Sequence, residues 1–135
     1  MSQRNVDIVR RGLDAFNSED IERIIEFIHP DFETEVPPQY SAEPDTYVGH
    51  EGVRRYFETF REAMYEIRFQ VEQLWDAGDA VVLALRLTAR GRQTAIPVEQ
   101  RLAQVWRVRD GKAVRVTTYS SVPEALEAAG LLEPR

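Results

Sequence analysis

The sequence contains no cysteine. Disulfides, thiolate nucleophiles and sulfur-ligated metals are excluded together, and a cytoplasmic protein is expected. Lysine occurs once, as Lys112, no run of basic residues is present, and the formal net charge is −6. The chain therefore lacks the basic face that a phosphate backbone demands, and no nucleic-acid partner is expected. No apolar run approaches the roughly 20 residues that span a bilayer. The opening MSQRNVDIVRRGL is polar and helix-patterned rather than the apolar core of a signal peptide, so no membrane partner is expected either. Histidine is scarce: His29 and His50 stand alone and form no H-x-x-x-H pair. With no glycine-rich phosphate loop and no G-x-S-x-G elbow, neither a metal nor a cofactor is expected.

What is present is enough apolar residue for a core and enough charge for water: 43% hydrophobic and 30% charged over 135 residues. That length suits one domain, 1–135. Val6, Val9, Leu13 and Phe16 recur at helical spacing over 3–16. Asn17 or Ser18 is the candidate cap of a second helix, with Ile21, Ile24, Ile25 and Ile28 as its stripe and Pro30 as its end. His29 then sits at that end, where an imidazole complements the helix dipole. HPDFETEV (29–36) reads as a short strand or extended turn, and 39–48 as a loop.

Gly49 and Gly52 bracket the start of a third helix carrying Val53, Tyr56, Phe57, Phe60 and Met64 on one face. After it the period drops to two. Strands are predicted over 66–75, 80–91, 98–108 and 112–121, with turns at 77–79 and 109–111. A last helix is opened by Pro123 and capped by Gly130. Helices followed by long antiparallel strands make an α+β domain, with helices packed on one face of a curved sheet. A twin subunit is the expected cover of the other face, giving a homodimer through the outer sheet surface.

HPDF at 29–32, YVGHEGVRRYF at 47–57, VWRVRDGK at 105–112 and EALEAAGL at 124–131, taken in order, resemble the nuclear transport factor 2-like superfamily and its SnoaL-like branch. The resemblance covers nearly the whole chain. It implies a cone whose bent antiparallel sheet wraps the N-terminal helices around a deep apolar cavity. Superfamily members include ketosteroid isomerases, polyketide cyclases, dehydratases, epoxide hydrolases and non-catalytic binding modules, so activity has to be argued from the pocket. The isomerase carboxylate base would fall at Val36, its phenol at Gly12 and its neutral acid near Gln104. All three ionisable groups are missing, as is the Asp-Arg-Asp set of the epoxide hydrolases.

Two kinds of candidate remain. For proton transfer these are His50, between two glycines on a segment that rims the cavity in the family, and Glu33 and Glu35 beside the expected base position. Strand alternation sets Phe32, Thr34 and Val36 inward and Glu33 and Glu35 outward, unless a bulge before Pro37 reverses it. Asp31 suits a turn after Pro30. The pocket wall is the second kind. Parity puts Gln104 and Trp106 on one face of the third strand, and Thr118 and Ser120 on one face of the fourth. Val36 and Tyr56 complete the wall, with Tyr40 at the mouth. Polar groups set in an apolar wall suit a small apolar or aromatic ligand; they equally suit an ordinary core with its hydrogen bonds satisfied internally. A cofactor-free isomerase, cyclase or lyase and a non-catalytic binding module both fit this pattern.

Overall fold

The computed structural model describes residues 2–36 and 45–131. Ten elements follow in chain order: α1 (Ser2–Asn17), α2 (Ile21–Ile25), β1 (Ile28–Val36), β2 (Asp45–Val48), α3 (Gly49–Ala63), β3 (Met64–Asp76), β4 (Ala80–Gly91), β5 (Pro97–Arg109), β6 (Lys112–Tyr119) and α4 (Val122–Ala128). The strands form one sheet in the order β2-β1-β6-β5-β4-β3. β3 through β6 are an antiparallel meander, and β1 joins β6 in parallel. The fold is α+β, as the order of helices and strands predicts.

The inner sheet face receives the helices. Val81, Leu83 and Leu85 alternate along β4 and are fully buried against Val9, Leu13, Val53 and Phe57, each contributing about 1.5–3 kcal/mol by leaving water. Phe16 packs edge-on against Phe57 at 5.5 Å and Phe69 at 5.2 Å, tying α1 to α3 and β3. The start of α3 is pressed onto β2: a Cβ on Gly52 would stand 2.8 Å from the Tyr47 carbonyl carbon, so only glycine fits there.

Several local expectations give way to the structure. Asp20, not Asn17 or Ser18, caps α2, accepting from the backbone N–H groups of Glu22 and Arg23. The helix ends after Ile25, five residues before Pro30, because Ile28 has already entered the parallel ladder with β6. His29 accordingly lies in β1, where its Nδ1 accepts from the Asp31 N–H at 3.0 Å. Asp31 is also in β1 rather than in a turn, paired with Arg109 at 2.9 Å. Residues 45–48, expected to be loop, are β2.

The outer sheet face is divided. α4 covers Val82, Ala103 and Val105 in a second, smaller apolar cluster with Trp75 and Tyr119. The remainder carries ion pairs, Arg86–Glu99 at 2.9 Å, Arg90–Glu66 at 3.1 Å and Arg101–Glu72 at 3.2 Å. The face expected to be covered by a twin subunit is thus covered in part by the chain's own helix. Among the described residues no helix is long and apolar enough to cross a membrane.

Candidate functional site

Between the helices and the inner sheet face lies a cavity of about 100 Å³. Its apolar wall comes from α1 and α2 (Leu13, Phe16, Ile24) and from Phe32, Phe69 and Val116 on the sheet. Polar atoms enter at Thr34, Tyr56, Gln104, Trp106 and Thr118. Among the described lining residues there is no Asp, Glu, His, Lys or Arg.

Strand register explains the polar group. Gln104 on β5 stands directly opposite Thr118 on β6, and Trp106 opposite Val116. Paired side chains on one face are close neighbours, and residues two apart share that face. Gln104 therefore meets both neighbours: its Nε2 donates to Thr118 Oγ1 at 3.3 Å, and its Oε1 accepts from Trp106 Nε1 at 2.8 Å. Thr34, on the parallel neighbour β1, donates its hydroxyl hydrogen to the Val116 carbonyl. The indole is seated over Gly12, where a Cβ would come within 3.1 Å of the ring. The missing phenol position on α1 is thus occupied by the Trp106 ring.

Tyr56 reaches the cavity from α3, one helical turn from Val53 and Phe60. Among the described residues nothing hydrogen-bonds its hydroxyl. It keeps some accessible surface, as a cavity-lining residue does, yet lies deep enough that burial, reinforced by Tyr47, pushes its pKa above the usual tyrosine value. At neutral pH it is a protonated phenol.

Two of the three proton-transfer candidates, Glu33 and His50, stand outside the cavity. Glu33 is on the outer sheet face, half exposed, with Oε1 3.6 Å from Arg115 Nη1. The side chains of Glu35 and Val36 lie outside the described residues, and so does Tyr40. His50 is absent from the cavity lining; its ring meets the Ile28 carbonyl at 2.8 Å through Nε2. A carbonyl only accepts, so Nε2 carries the hydrogen and is spent on tying α3 to β1. Ser120 is a correction: β6 stops at Tyr119, and the exposed Ser120 hydroxyl donates to Glu124 at 2.9 Å beside the start of α4. Parity had been carried one residue past the strand. Thr34 is a site residue beyond those the sequence nominates, and the alternation that turns Glu33 outward turns it into the cavity.

The model of the SnoaL-like domain matches residues 9–116. The chain belongs to the SnoaL-like family. Solved structures agree with that placement. An NTF2-like protein from Burkholderia thailandensis E264 is 28% identical over 95% of this chain and 96% of its own, with a TM-score of 0.75. TerC, co-crystallised with polyporic acid, is 22% identical over 94% of this chain and 98% of its own, at 0.76. A SnoaL-like polyketide cyclase homologue from Jannaschia sp. CCS1 is 19% identical over 98% and 95%, at 0.75. No curated protein matches the sequence.

Proposed function

We propose that this cytoplasmic SnoaL-like protein binds a small, flat, apolar ring compound in the cavity, without metal or cofactor. The observation that carries the reading is the lining: aromatic and aliphatic walls, a short polar row at Gln104, Thr118 and Trp106, and no charged side chain among the described lining residues. Few polar groups in an apolar concavity are the usual make-up of a small-molecule site, and a dry pocket of this order holds a single aromatic ring. TerC, of the same fold, was crystallised with a ring compound, polyporic acid.

A second reading, a cofactor-free isomerase, cyclase or lyase, is favoured by one observation, the unpartnered hydroxyl of Tyr56. In that reading a neutral phenol, rather than His50 or Glu33, supplies the proton or hydrogen bond.

Titration of intrinsic fluorescence in a Trp75→Phe variant isolates Trp106, which lines the cavity. Saturable quenching by polyporic acid, phenols, steroids or polyketide-like rings, lost in Gln104→Leu, supports the binding reading. No response to any of them removes it. Turnover of a bound ring that disappears in Tyr56→Phe supports the catalytic one.

The uncovered part of the outer face we assign to a homodimer. It carries both signs of charge, Arg86 with Glu99 and Arg101 with Glu72, which lets a second copy of the same face set unlike charges against each other across a two-fold axis. Light scattering should give twice the 15.6 kDa of the chain at micromolar concentration; the monomer mass overturns it.

A further inference from the structure

Trp106 determines which way round the Gln104 amide stands. An indole N–H donates and never accepts, so the atom it meets at 2.8 Å is the amide oxygen, Oε1. The amide nitrogen is thereby turned toward Thr118 and gives one of its hydrogens to Oγ1 at 3.3 Å. That contact occupies a lone pair of the Thr118 hydroxyl, whose own hydrogen must point away from the amide. Among the described residues nothing accepts the Thr118 hydrogen, the second N–H of Gln104 or the hydroxyl hydrogen of Tyr56. Thr34 offers the cavity a lone pair, having given its hydrogen to Val116. Gln104 Oε1 and Thr118 Oγ1 each keep a second lone pair, and the Tyr56 oxygen keeps its own. An oxygen with a lone pair to spare is tolerated better than a donor without an acceptor. Three such donors stand here in an apolar surrounding, where that is costly.

We infer that Trp106 sets the polarity of the cavity: by bracing the Gln104 amide it leaves donors facing the ligand, so the site selects a ring compound bearing a carbonyl over a hydrocarbon or an amine of the same shape. The inference rests on the reading that the cavity binds a small ring compound, and adds the chemical class of its polar substituent. The role of Trp106 is one of positioning. It acts through Gln104, and it does so by its N–H rather than its bulk. An aryl amine, a poor acceptor, meets the free amide N–H and the Thr118 hydroxyl hydrogen donor to donor, and of the amide oxygen only the lone pair not taken by the indole is left to receive it. A carbonyl oxygen placed near Gln104 and Thr118 accepts from both without disturbing the braced pair.

Three probes of one bicyclic shape test this: indane, 1-indanone and 5-aminoindane, whose aryl amine is neutral at pH 7. Each is titrated calorimetrically into the full chain as wild type, Trp106→Phe and Thr118→Val. In the wild type 1-indanone should bind about tenfold tighter than indane, the equivalent of one well-made hydrogen bond, with 5-aminoindane no tighter than indane. Trp106→Phe frees the amide to turn over, and the preference for ketone over amine should shrink to within about threefold. Thr118→Val removes a donor, and the ketone-to-indane ratio should fall by a similar factor. Cooperative thermal unfolding checks that each variant is folded, and Thr118→Val carries the test alone if Trp106→Phe is not. Equal affinities for the three probes in the wild type overturn the inference while leaving the binding reading intact, as does a ketone preference undiminished in the folded Trp106→Phe protein. Binding of none of the three overturns the reading and the inference with it.

Discussion

Asn17 clasps the backbone of Phe69 with both ends of its amide: Nδ2 donates to the Phe69 carbonyl at 2.9 Å and Oδ1 accepts from the Phe69 N–H at 2.8 Å. The last residue of α1 thus completes the hydrogen bonding of β3, the edge strand of the sheet, as a neighbouring strand would. Asn17→Ala leaves both backbone groups without partners in a half-buried place. A loss of about 2 kcal/mol is expected, read as a lower urea midpoint at unchanged slope. Asn17→Asp keeps the acceptor but sets a carboxylate against the Phe69 carbonyl, and should be no more stable than the alanine variant above pH 5.

Gly12 and Trp106 share one space. Gly12→Ala improves helix propensity in α1 by up to about 1 kcal/mol but places a methyl 3.1 Å from the indole ring. The indole has to move, stretching its 2.8 Å bond to Gln104. Stability should change by no more than about 2 kcal/mol, since overpacking costs of that order oppose the propensity gain. The emission maximum of Trp106 in a Trp75→Phe background should shift. An unmoved maximum would mean that α1 yields instead.

Glu33→Gln and His50→Ala separate rim from cavity. Glu33 and its partner Arg115 are each about half exposed, so screening holds the pair to less than about 1 kcal/mol. His50→Ala removes the tie to the Ile28 carbonyl and should cost about 1 kcal/mol. Neither should change ring-compound affinity by more than about twofold, or about 0.4 kcal/mol. A tenfold loss in either would put that side chain back at the site.

Tyr56 makes alkaline stability a probe of the cavity. Burial first, and Tyr47 second, raise its pKa above the usual value, which is about 10. Below that pH the phenol is protonated in both folded and unfolded chains, and its contribution to stability is constant. Above it the unfolded chain releases the proton first. Folding stability then falls by up to about 1.4 kcal/mol per pH unit on account of this group, until the folded protein titrates as well. Tyr56→Phe should lose stability less steeply than the wild type between about pH 10 and pH 11.5. Matching slopes would show that Tyr56 titrates normally.

The sheet was readable from the sequence because period-two alternation in β3 to β6 is strong and its turns carry Gly78 and Gly111 at positive φ. Phe32 and Thr34 turned inward and Glu33 outward for the same reason. Parity also put Gln104, Trp106 and Thr118 on one wall, though not the bonds among them. Those depend on the β5–β6 register, which pairs residue 104 with residue 118 and which no single strand specifies. Local signals failed where a distant partner decided the outcome. β2 exists because β1 offers it a ladder; α2 stops short because the chain is drawn into parallel pairing with β6. Ser120 was misplaced because Ser121, capping α4, ended the alternation early.

Gly12, Thr34, Tyr56, Gln104 and Thr118 bring their part of the cavity from separate places along more than a hundred residues of chain, and the wall closes only when β1 docks beside β6. No stretch of chain shorter than 12–118 carries all five of these lining residues. A ligand therefore adds its whole binding energy to the complete fold and none to its precursors. If the cavity binds a ring compound as proposed, that compound also clamps global unfolding, and protection of the sheet from amide exchange should rise with its concentration across every strand at once.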